Sequence, residues 1–204
     1  MGKVMTQNIN INIDALFVTT LATNVFEDID NKKLLEFCLY MYKNYPSNNR
    51  SNRNGWQSQQ LEYHKELDEL TYNVKEVGSN IFKLLKGKDE WVVDIDNLWI
   101  NVNTPGSYNT SHIHPRSFLS GVYYVKVPKD SGRIHFTHPC QSFCYDWDSS
   151  YFNELNNTNT PGMHYEPEEK RNYLFPSWLQ HDVESNNSKE NRISISYNLK
   201  VVKK

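Results

Sequence analysis

Apolar residues recur at helical spacing in two stretches that precede residue 90. The segment 28–45 has Asp or Asn ahead of its apolar face and a proline after it, as expected for a helix. The stretch LDELTYNVKEVGSNIFKLLKGK predicts a second helix that ends near Lys86. Between them, PSNNRSNRNGWQSQQ predicts a polar loop, which Trp56 anchors by packing. The apolar positions of the first helix are Leu34, Leu35, Cys38, Leu39 and Tyr42.

From Trp91 onward the pattern changes to short runs rich in β-branched and aromatic residues, separated by Pro, Gly and Asp. Such runs are typical of strands. The predicted strands are WVVDIDNLWINVN, SGVYYVKV, GRIHFTH, NYLFPSW and RISISYNLKVV.

Helices followed by strands predict a mostly β protein with N-terminal helices, an α+β arrangement built on a jelly roll. We expect one domain over residues 1–204, with a helical support region at 1–90 and a jelly-roll core at 91–204. Residues 139–170 form an insertion too long for an idle connection. We therefore expect it to act as a lid, with Trp147 and Tyr151 closing over the substrate.

The composition excludes several classes of function. The net charge is −2, from 22 basic and 24 acidic residues in mixed order, so neither a nucleic-acid partner nor a membrane partner is expected. Three cysteines without zinc-type spacing indicate reduced thiols and a cytoplasmic protein. The sequence contains no apolar run of membrane-spanning length and no secretory leader pattern.

The candidate chemistry lies in TSHIHPRS, residues 110–117. In extended backbone, residues two apart point to the same side, so His112 and His114 can hold one ion together. His181 follows about seventy residues later, and Arg192 and Ser194 come next, all at predicted strand ends. Distant strands meet in a jelly roll, so this spacing can assemble one pocket.

Three protein ligands on one side of a divalent metal leave positions open for a chelating co-substrate and dioxygen, as in non-haem iron oxygenases. Arg192 can bind a carboxylate of that co-substrate with both arms of its guanidinium, and the hydroxyl of Ser194 lies beside it.

On these motifs the chain resembles the 2-oxoglutarate and Fe(II)-dependent dioxygenases, notably their prolyl-hydroxylase-like branch, whose fold is the double-stranded β-helix. The resemblance rests on PGSYNTSHIH, the YY strand, SGRIHF and the distal histidine followed by arginine. The segments SNRNGWQS, HIHPRSFLSGVYYVKVP and LFPSWLQHDVESN are more closely similar to a group of such oxygenases from marine bacteria and phages.

The resemblance implies that His112 and His181 bind iron and that Arg192 binds the distal carboxylate of 2-oxoglutarate. Ser194 and Tyr124 match positions that hydrogen-bond the same carboxylate. The remaining residues implied to line the co-substrate pocket are Asn101 and Asn103.

His114 departs from the family pattern, which has Asp or Glu at this position. A third neutral imidazole leaves the site about one charge more positive and also suits other metals. We keep His114 as the third ligand, because the closer group carries the same HxH pattern. Asp146 or Asp148 of the insertion is the alternative source of a carboxylate, whereas Asp182, adjacent to His181 in a strand, faces the other way.

The expected function is hydroxylation of an unidentified small molecule or peptide with Fe(II), 2-oxoglutarate and dioxygen, releasing succinate and carbon dioxide. Two alternatives stay open at this point. One is a three-histidine cupin-like dioxygenase that does not use 2-oxoglutarate, and the other is a jelly-roll protein that binds a metal or ligand without turnover.

Overall fold

Two antiparallel sheets face each other in the computed structural model. The larger sheet has the order β1-β9-β6-β11-β4-β3, and the smaller has the order β2-β5-β10-β7-β8. The helices are α1 (Asn31–Asn44) and α2 (Asp68–Leu84). The strands are β1 (Ala22–Val25), β2 (Asn52–Arg53), β3 (Trp56–Gln57), β4 (Trp91–Asn103), β5 (Tyr108–His112), β6 (Leu119–Lys126), β7 (Ile134–Thr137), β8 (Gly162–Tyr165), β9 (Arg171–Pro176), β10 (His181–Val183) and β11 (Arg192–Lys203). The structure describes residue 12 and residues 14–48, 50–61, 64–140, 142 and 146–204.

Helix α1 begins after Asp30, whose carboxylate accepts a hydrogen bond from the backbone N–H of Lys33 at 3.1 Å. This cap satisfies one of the free N–H groups at the helix start. The predicted helix is therefore present, although its buried face differs in part from the expected one, because Leu39 is exposed. The buried positions are Leu34, Phe37, Cys38 and Met41.

Alternation along β11 separates the two faces of the larger sheet. Its apolar residues from Ile193 to Leu199 pack under the two helices, in the main core. The residues between them, Arg192, Ser194, Ser196 and Asn198, point instead toward the smaller sheet. A strand buried on both faces would normally be apolar on both, so these polar positions mark an internal site.

A smaller apolar cluster closes the space between the two sheets at one end. It includes Tyr124 and Phe175 from the larger sheet and Ile134 and Phe136 from β7 of the smaller sheet. The neighbouring Tyr123 faces the helices, where its hydroxyl donates to Asn31 Oδ1 at 3.0 Å. The polar residues of the internal face therefore lie beside a sealed apolar end.

The expected fold class, mostly β with N-terminal helices, is confirmed by this arrangement. The prediction of an unbroken loop over 46–60 is wrong, because β2 and β3 lie within it and join opposite sheets. Part of the predicted insertion 139–170 is also a sheet element, since β8 pairs with β7 at the edge of the smaller sheet. Whether the rest of this insertion acts as a lid stays a prediction.

Within the described part of the chain, neither helix is long and apolar enough to span a bilayer. Cys38 is buried as a free thiol and Cys140 is exposed, whereas Cys144 lies outside the described residues.

Candidate metal centre and adjoining cavities

Three histidines, two on neighbouring strands and one in the loop after β5, converge between the sheets. His112 ends β5, His181 begins β10, and the two face each other as antiparallel partners. His114 lies just beyond β5, where its backbone N–H donates to Ser177 O at 2.9 Å. One ring nitrogen from each histidine lies within 4.8 Å of the other two, and Nε2 of His114 is 3.2 Å from Nε2 of His181. The sequence-predicted HxH…H set is thus brought together.

Backbone carbonyls fix the orientation of two of these rings. His112 Nδ1 lies 2.7 Å from Thr110 O, and His181 Nδ1 lies 2.9 Å from Leu179 O. A carbonyl only accepts, so each Nδ1 carries the proton and donates it. Nε2 of both rings is therefore left with a lone pair available to a metal.

Burial keeps all three imidazoles uncharged at neutral pH. It lowers the pKa of His114 to about 4, assisted by the nearby His112, and lowers the pKa of His181 to about 3. The pKa of His112 is also lowered by burial, against the opposing hydrogen bond to Thr110. Neutral imidazole is the form that binds metals, so no proton has to leave these rings near pH 7.

Among the residues that the structure describes, no carboxylate joins this cluster. Asp148 instead accepts a hydrogen bond from the backbone N–H of Ser150 at 2.8 Å, and Asp146 lies exposed in the insertion. Asp182 points away from His181, as expected from its position in the strand, and its Oδ2 accepts from His135 Nδ1 at 2.9 Å. The carboxylate alternatives are therefore not at the site in this structure.

Arg192 lies at the end of a narrow cavity that also reaches the three histidines. Its side chain is 1% exposed, and its Nη1 donates to Ser131 O at 2.6 Å and to Gly132 O at 2.9 Å. Its Nε has no hydrogen-bond partner, and no described carboxylate forms an ion pair with it. Burial lowers the pKa of Arg192, because it disfavours the charged form.

The other predicted co-substrate residues line the same narrow cavity. Asn101 and Asn103 come from β4, Ser194 from β11 and Tyr124 from β6. Asn103 Nδ2 donates to Asn109 Oδ1 at 3.1 Å, whereas Oδ1 of Asn101 is buried without a partner. Burial raises the pKa of Tyr124 to about 12, so its hydroxyl stays protonated and can donate a hydrogen bond.

A second, larger cavity of about 560 Å³ opens on the other side of His112 and His114. Trp99 lines both cavities and stacks on His114, with ring centroids 5.6 Å apart. The remaining wall is mostly amide and hydroxyl side chains, which come from the segment 48–60 and from β4, β5 and β11. The volume is in the range of small-molecule sites.

Sequence reasoning missed two of these wall residues. Trp99 is part of a predicted strand, but nothing in its spacing distinguishes it from a core aromatic residue. The second missed residue is Gln57, which follows Trp56 in GWQS. Trp56 itself packs as expected, and its indole N–H donates to Tyr45 O at 3.0 Å. The signal available for Gln57 was strand alternation: if Trp56 faces the core, the next residue faces the site.

The donor set fits a non-haem iron centre with a bound keto acid. Imidazole nitrogens suit Fe(II), although they also suit Zn(II), Cu(II) and Ni(II). The buried guanidinium of Arg192 has no carboxylate partner among the described residues, and it lies in the cavity that leads to the histidines. A ligand with a carboxylate at one end and a chelating group at the other would pair with Arg192 and also bind a metal held by the histidines.

Comparisons with known proteins identify the family of this chain and structures that share its fold. The sequence model of the family described as "Putative 2OG-Fe(II) oxygenase" matches residues 97–198, half of the chain. No curated protein matches the sequence.

Solved structures share the fold at low sequence identity. A Pseudomonas putida prolyl-4-hydroxylase has a TM-score of 0.62 and 14% identity, covering 89% of this chain and 92% of its own. A viral collagen prolyl hydroxylase from Paramecium Bursaria Chlorella virus-1, solved with 2OG, has a TM-score of 0.58 and 14% identity, with coverages of 88% and 94%. The epimerase SnoN from nogalamycin biosynthesis has a TM-score of 0.62 and 12% identity, with coverages of 90% and 78%. SnoN is also known in complex with Fe3+ and alpha ketoglutarate.

Proposed function

Because this chain belongs to the family of 2OG-Fe(II) oxygenases, we propose that it hydroxylates a C–H bond of a primary substrate through the centre formed by His112, His114 and His181. It is an enzyme that uses Fe(II), 2-oxoglutarate and dioxygen. In the proposed reaction, one oxygen atom enters the substrate as a hydroxyl group and the other enters succinate, while 2-oxoglutarate loses carbon dioxide.

The buried, unpaired charge of Arg192 carries this proposal. A charge of this kind is expensive to bury, by several kcal/mol, unless an anion accompanies it. The two carbonyls that accept from Nη1 hold the guanidinium in place, so that its remaining nitrogens are available for a carboxylate. The narrow cavity then directs the other end of a dicarboxylic ligand toward the histidines.

Each neighbouring residue has a role in holding that ligand. Ser194 and Tyr124 supply hydroxyl donors beside Arg192, and Asn101 and Asn103 form the adjacent wall on β4. Thr110 O and Leu179 O keep two imidazoles turned with Nε2 inward. When bound, Fe(II) supplies the activation of dioxygen that neither imidazole nor carboxamide side chains can provide.

The larger cavity is the proposed site of the primary substrate, because it shares His112, His114 and Trp99 with the narrow one. We further propose a small-molecule or peptide substrate, a lid role for the insertion 139–170 and a cytoplasmic location. Trp147 and Tyr151 line neither cavity in this structure, so the lid role requires the insertion to move.

A visible charge-transfer band of the anaerobic complex tests the site. We expect Fe(II) and 2-oxoglutarate added together to give the band in wild-type protein, and we expect His181→Ala and His114→Ala to abolish it. His164→Ala is a matched control, because that histidine lies outside the cluster, on β8. Survival of the band in His181→Ala would refute the proposed centre.

The arrangement of three imidazoles without a carboxylate also suits a dioxygenase that needs no 2-oxoglutarate. The two candidates differ in their dependence on Arg192. Under our proposal, Arg192→Met raises the KM for 2-oxoglutarate by about a hundredfold or more, because an ionic contact in a buried site is lost. Turnover that is independent of both 2-oxoglutarate and Arg192 would favour the rival.

A further inference from the structure

Gln57 is a buried glutamine that lines the larger cavity and whose side-chain oxygen has no hydrogen-bond partner among the described residues. It is 6% exposed, and its Oε1 has no donor among the described residues. Its backbone is fixed, since β3 pairs with β4 and the N–H of Gln57 donates to Ser47 Oγ at 3.2 Å. The carboxamide therefore lies in a defined place on the cavity wall.

Neighbouring carboxamides on the same wall are already paired with each other. The hydroxyl of Ser120 donates to Asn198 Oδ1 at 2.7 Å, and Asn198 Nδ2 donates to Asn97 Oδ1 at 2.8 Å. Asn97 Nδ2 then donates to Asp96 Oδ2 at 3.2 Å. This chain fixes the orientation of each of these amides, whereas Oε1 of Gln57 is a buried acceptor without a partner among the described residues.

The position of Gln57 connects it to the reacting end of the cavity. In the β3–β4 pair it lies opposite Asn101, which lines the narrow cavity beside the histidines. Gln57 itself lines the larger cavity together with His112 and His114. A molecule that fills this space without a donor of its own leaves Oε1 buried and unpaired, so a molecule that donates a hydrogen bond to it binds better.

The charges on the wall favour an uncharged donor. Asp96 already accepts from Asn97 and from Ser117, and its Oδ1 lies 3.6 Å from the ammonium of Lys200. Arg50, the other charged side chain of the wall, is exposed. A cationic group would have to compete with Lys200 for Asp96, whereas the Gln57 oxygen is available to a neutral N–H or O–H.

Resting on the oxygenase function proposed above, we propose that Gln57 is a specificity-determining residue that accepts a hydrogen bond from a neutral N–H or O–H of the primary substrate. The substrate class is then a carboxamide-bearing or hydroxylated compound. A prolyl residue within a peptide does not fit this role, because its ring is apolar and its amide nitrogen carries no hydrogen.

Matched fragments test this donor requirement. Ligand-observed NMR on the anaerobic protein with Fe(II) and 2-oxoglutarate compares acetamide with N,N-dimethylacetamide, and ethylene glycol with its dimethyl ether. We expect at least one donor-bearing fragment to bind about tenfold more tightly than its methylated partner, the size of one lost hydrogen bond. The pair that shows the difference distinguishes an amide substrate from a hydroxylated one.

Variants of two glutamines test whether Gln57 causes the preference for donor-bearing fragments. Gln57→Met should abolish the preference, whereas Gln57→Glu, which keeps an acceptor oxygen, should retain it. Gln60→Met is the control, since Gln60 lines the same cavity but is exposed. If Gln57→Met fails to fold, Gln57→Ala removes the same acceptor oxygen, and it should abolish the preference as well.

Equal binding of both members of each pair in wild-type protein, including no measurable binding of any fragment, would overturn the inference. So would a preference that persists in Gln57→Met. Failure of the oxygenase function is separate, because it shows as a missing charge-transfer band, whereas the fragment preference depends only on the cavity wall.

Discussion

Arg133, which directly precedes β7, holds Glu184, which directly follows β10, through three hydrogen bonds. Its Nε donates to Oε2 at 2.9 Å, its Nη2 donates to Oε1 at 2.8 Å, and its backbone N–H donates to Oε2 at 3.0 Å. The side-chain hydrogen bond from Arg133 is the main reason that the pKa of Glu184 falls from 4.5 to about 2. The paired carboxylate thus stabilises the folded state wherever it is ionised.

This pair predicts a pH-dependent difference in stability. A carboxyl group with a lowered folded-state pKa stabilises the fold above its unfolded pKa, and the effect is lost as pH falls through the folded value. Glu184→Gln should therefore lower the free energy of unfolding at pH 7 by up to about 1 kcal/mol, a modest amount because the pair is partly exposed. The difference should vanish between pH 4.5 and about 2. Urea titrations of both proteins across this range provide the measurement, and a difference that persists at pH 2 would contradict the assignment.

At the residue scale, alternation and spacing were enough to predict which side chains meet. His112, His181, Arg192 and Ser194 converge as their spacing indicated, because each lies at or near the end of a strand and lines the space between the two sheets. The unpaired state of Gln57 was not predictable. It depends on which neighbours the fold supplies, and no local pattern encodes that.

Strand β6 and strand β11 pack closely because Gly121 leaves room for an aromatic ring. A Cβ at Gly121 would lie 2.4 Å from the ring of Tyr197, its antiparallel partner. The hydroxyl of Tyr197 donates to Asn172 Oδ1 at 2.6 Å, which ties β11 to β9 across β6. The glycine is therefore required by a side chain on the next strand.

We expect Gly121→Ala to destabilise the protein by about 1–3 kcal/mol, because the added methyl group overpacks this contact. Tyr197→Leu alone should also be destabilising, since it removes a buried ring and leaves Asn172 Oδ1 without its donor. If the clash with the Tyr197 ring causes the destabilisation, the two changes are not additive. The free energy of unfolding of the double variant, measured by denaturant unfolding, should then fall by less than the sum of the two single decreases. If the two decreases in the free energy of unfolding simply add, the methyl group of Gly121→Ala does not clash with the Tyr197 ring.

At the element scale, sequence pattern predicted the strands rich in β-branched and aromatic residues, including the four-residue β7, and missed several short strands that are mostly polar. β4, β6 and β11 carry enough β-branched and aromatic residues to be recognised from their own composition. β5 and β10, with the sequences YNTSH and HDV, are polar, because they carry the site rather than the core. Their extended form is imposed by pairing with each other, which a local pattern cannot show.

For the molecule as a whole, binding of 2-oxoglutarate and Fe(II) should raise the free energy of unfolding. A ligand that binds only the folded state at a hundred times its Kd adds about 2.7 kcal/mol to the free energy of unfolding. We expect 2-oxoglutarate with Fe(II), kept anaerobic, to raise the Tm of wild-type protein by several degrees beyond Fe(II) alone, and to have little effect on Arg192→Met.

The keto acid 2-oxobutyrate provides the control for this measurement, because it keeps the chelating end and lacks the second carboxylate. It should stabilise wild-type protein and Arg192→Met by the same small amount. If 2-oxoglutarate still stabilises Arg192→Met more than 2-oxobutyrate does, the second carboxylate is bound elsewhere.

The two cavities are built from strands of very different length. The narrow cavity is walled by the central strands β4 and β11, which pair with each other over nearly their whole length. The larger cavity is bordered in part by the two-residue strand β3 and the loops around it. Substitutions in short surface segments reduce the stability of a protein less than substitutions in its central strands do. Substrate preference can therefore diverge among related proteins while the apparatus for the co-substrate stays fixed, and mutational libraries aimed at new substrates should concentrate on residues 48–60.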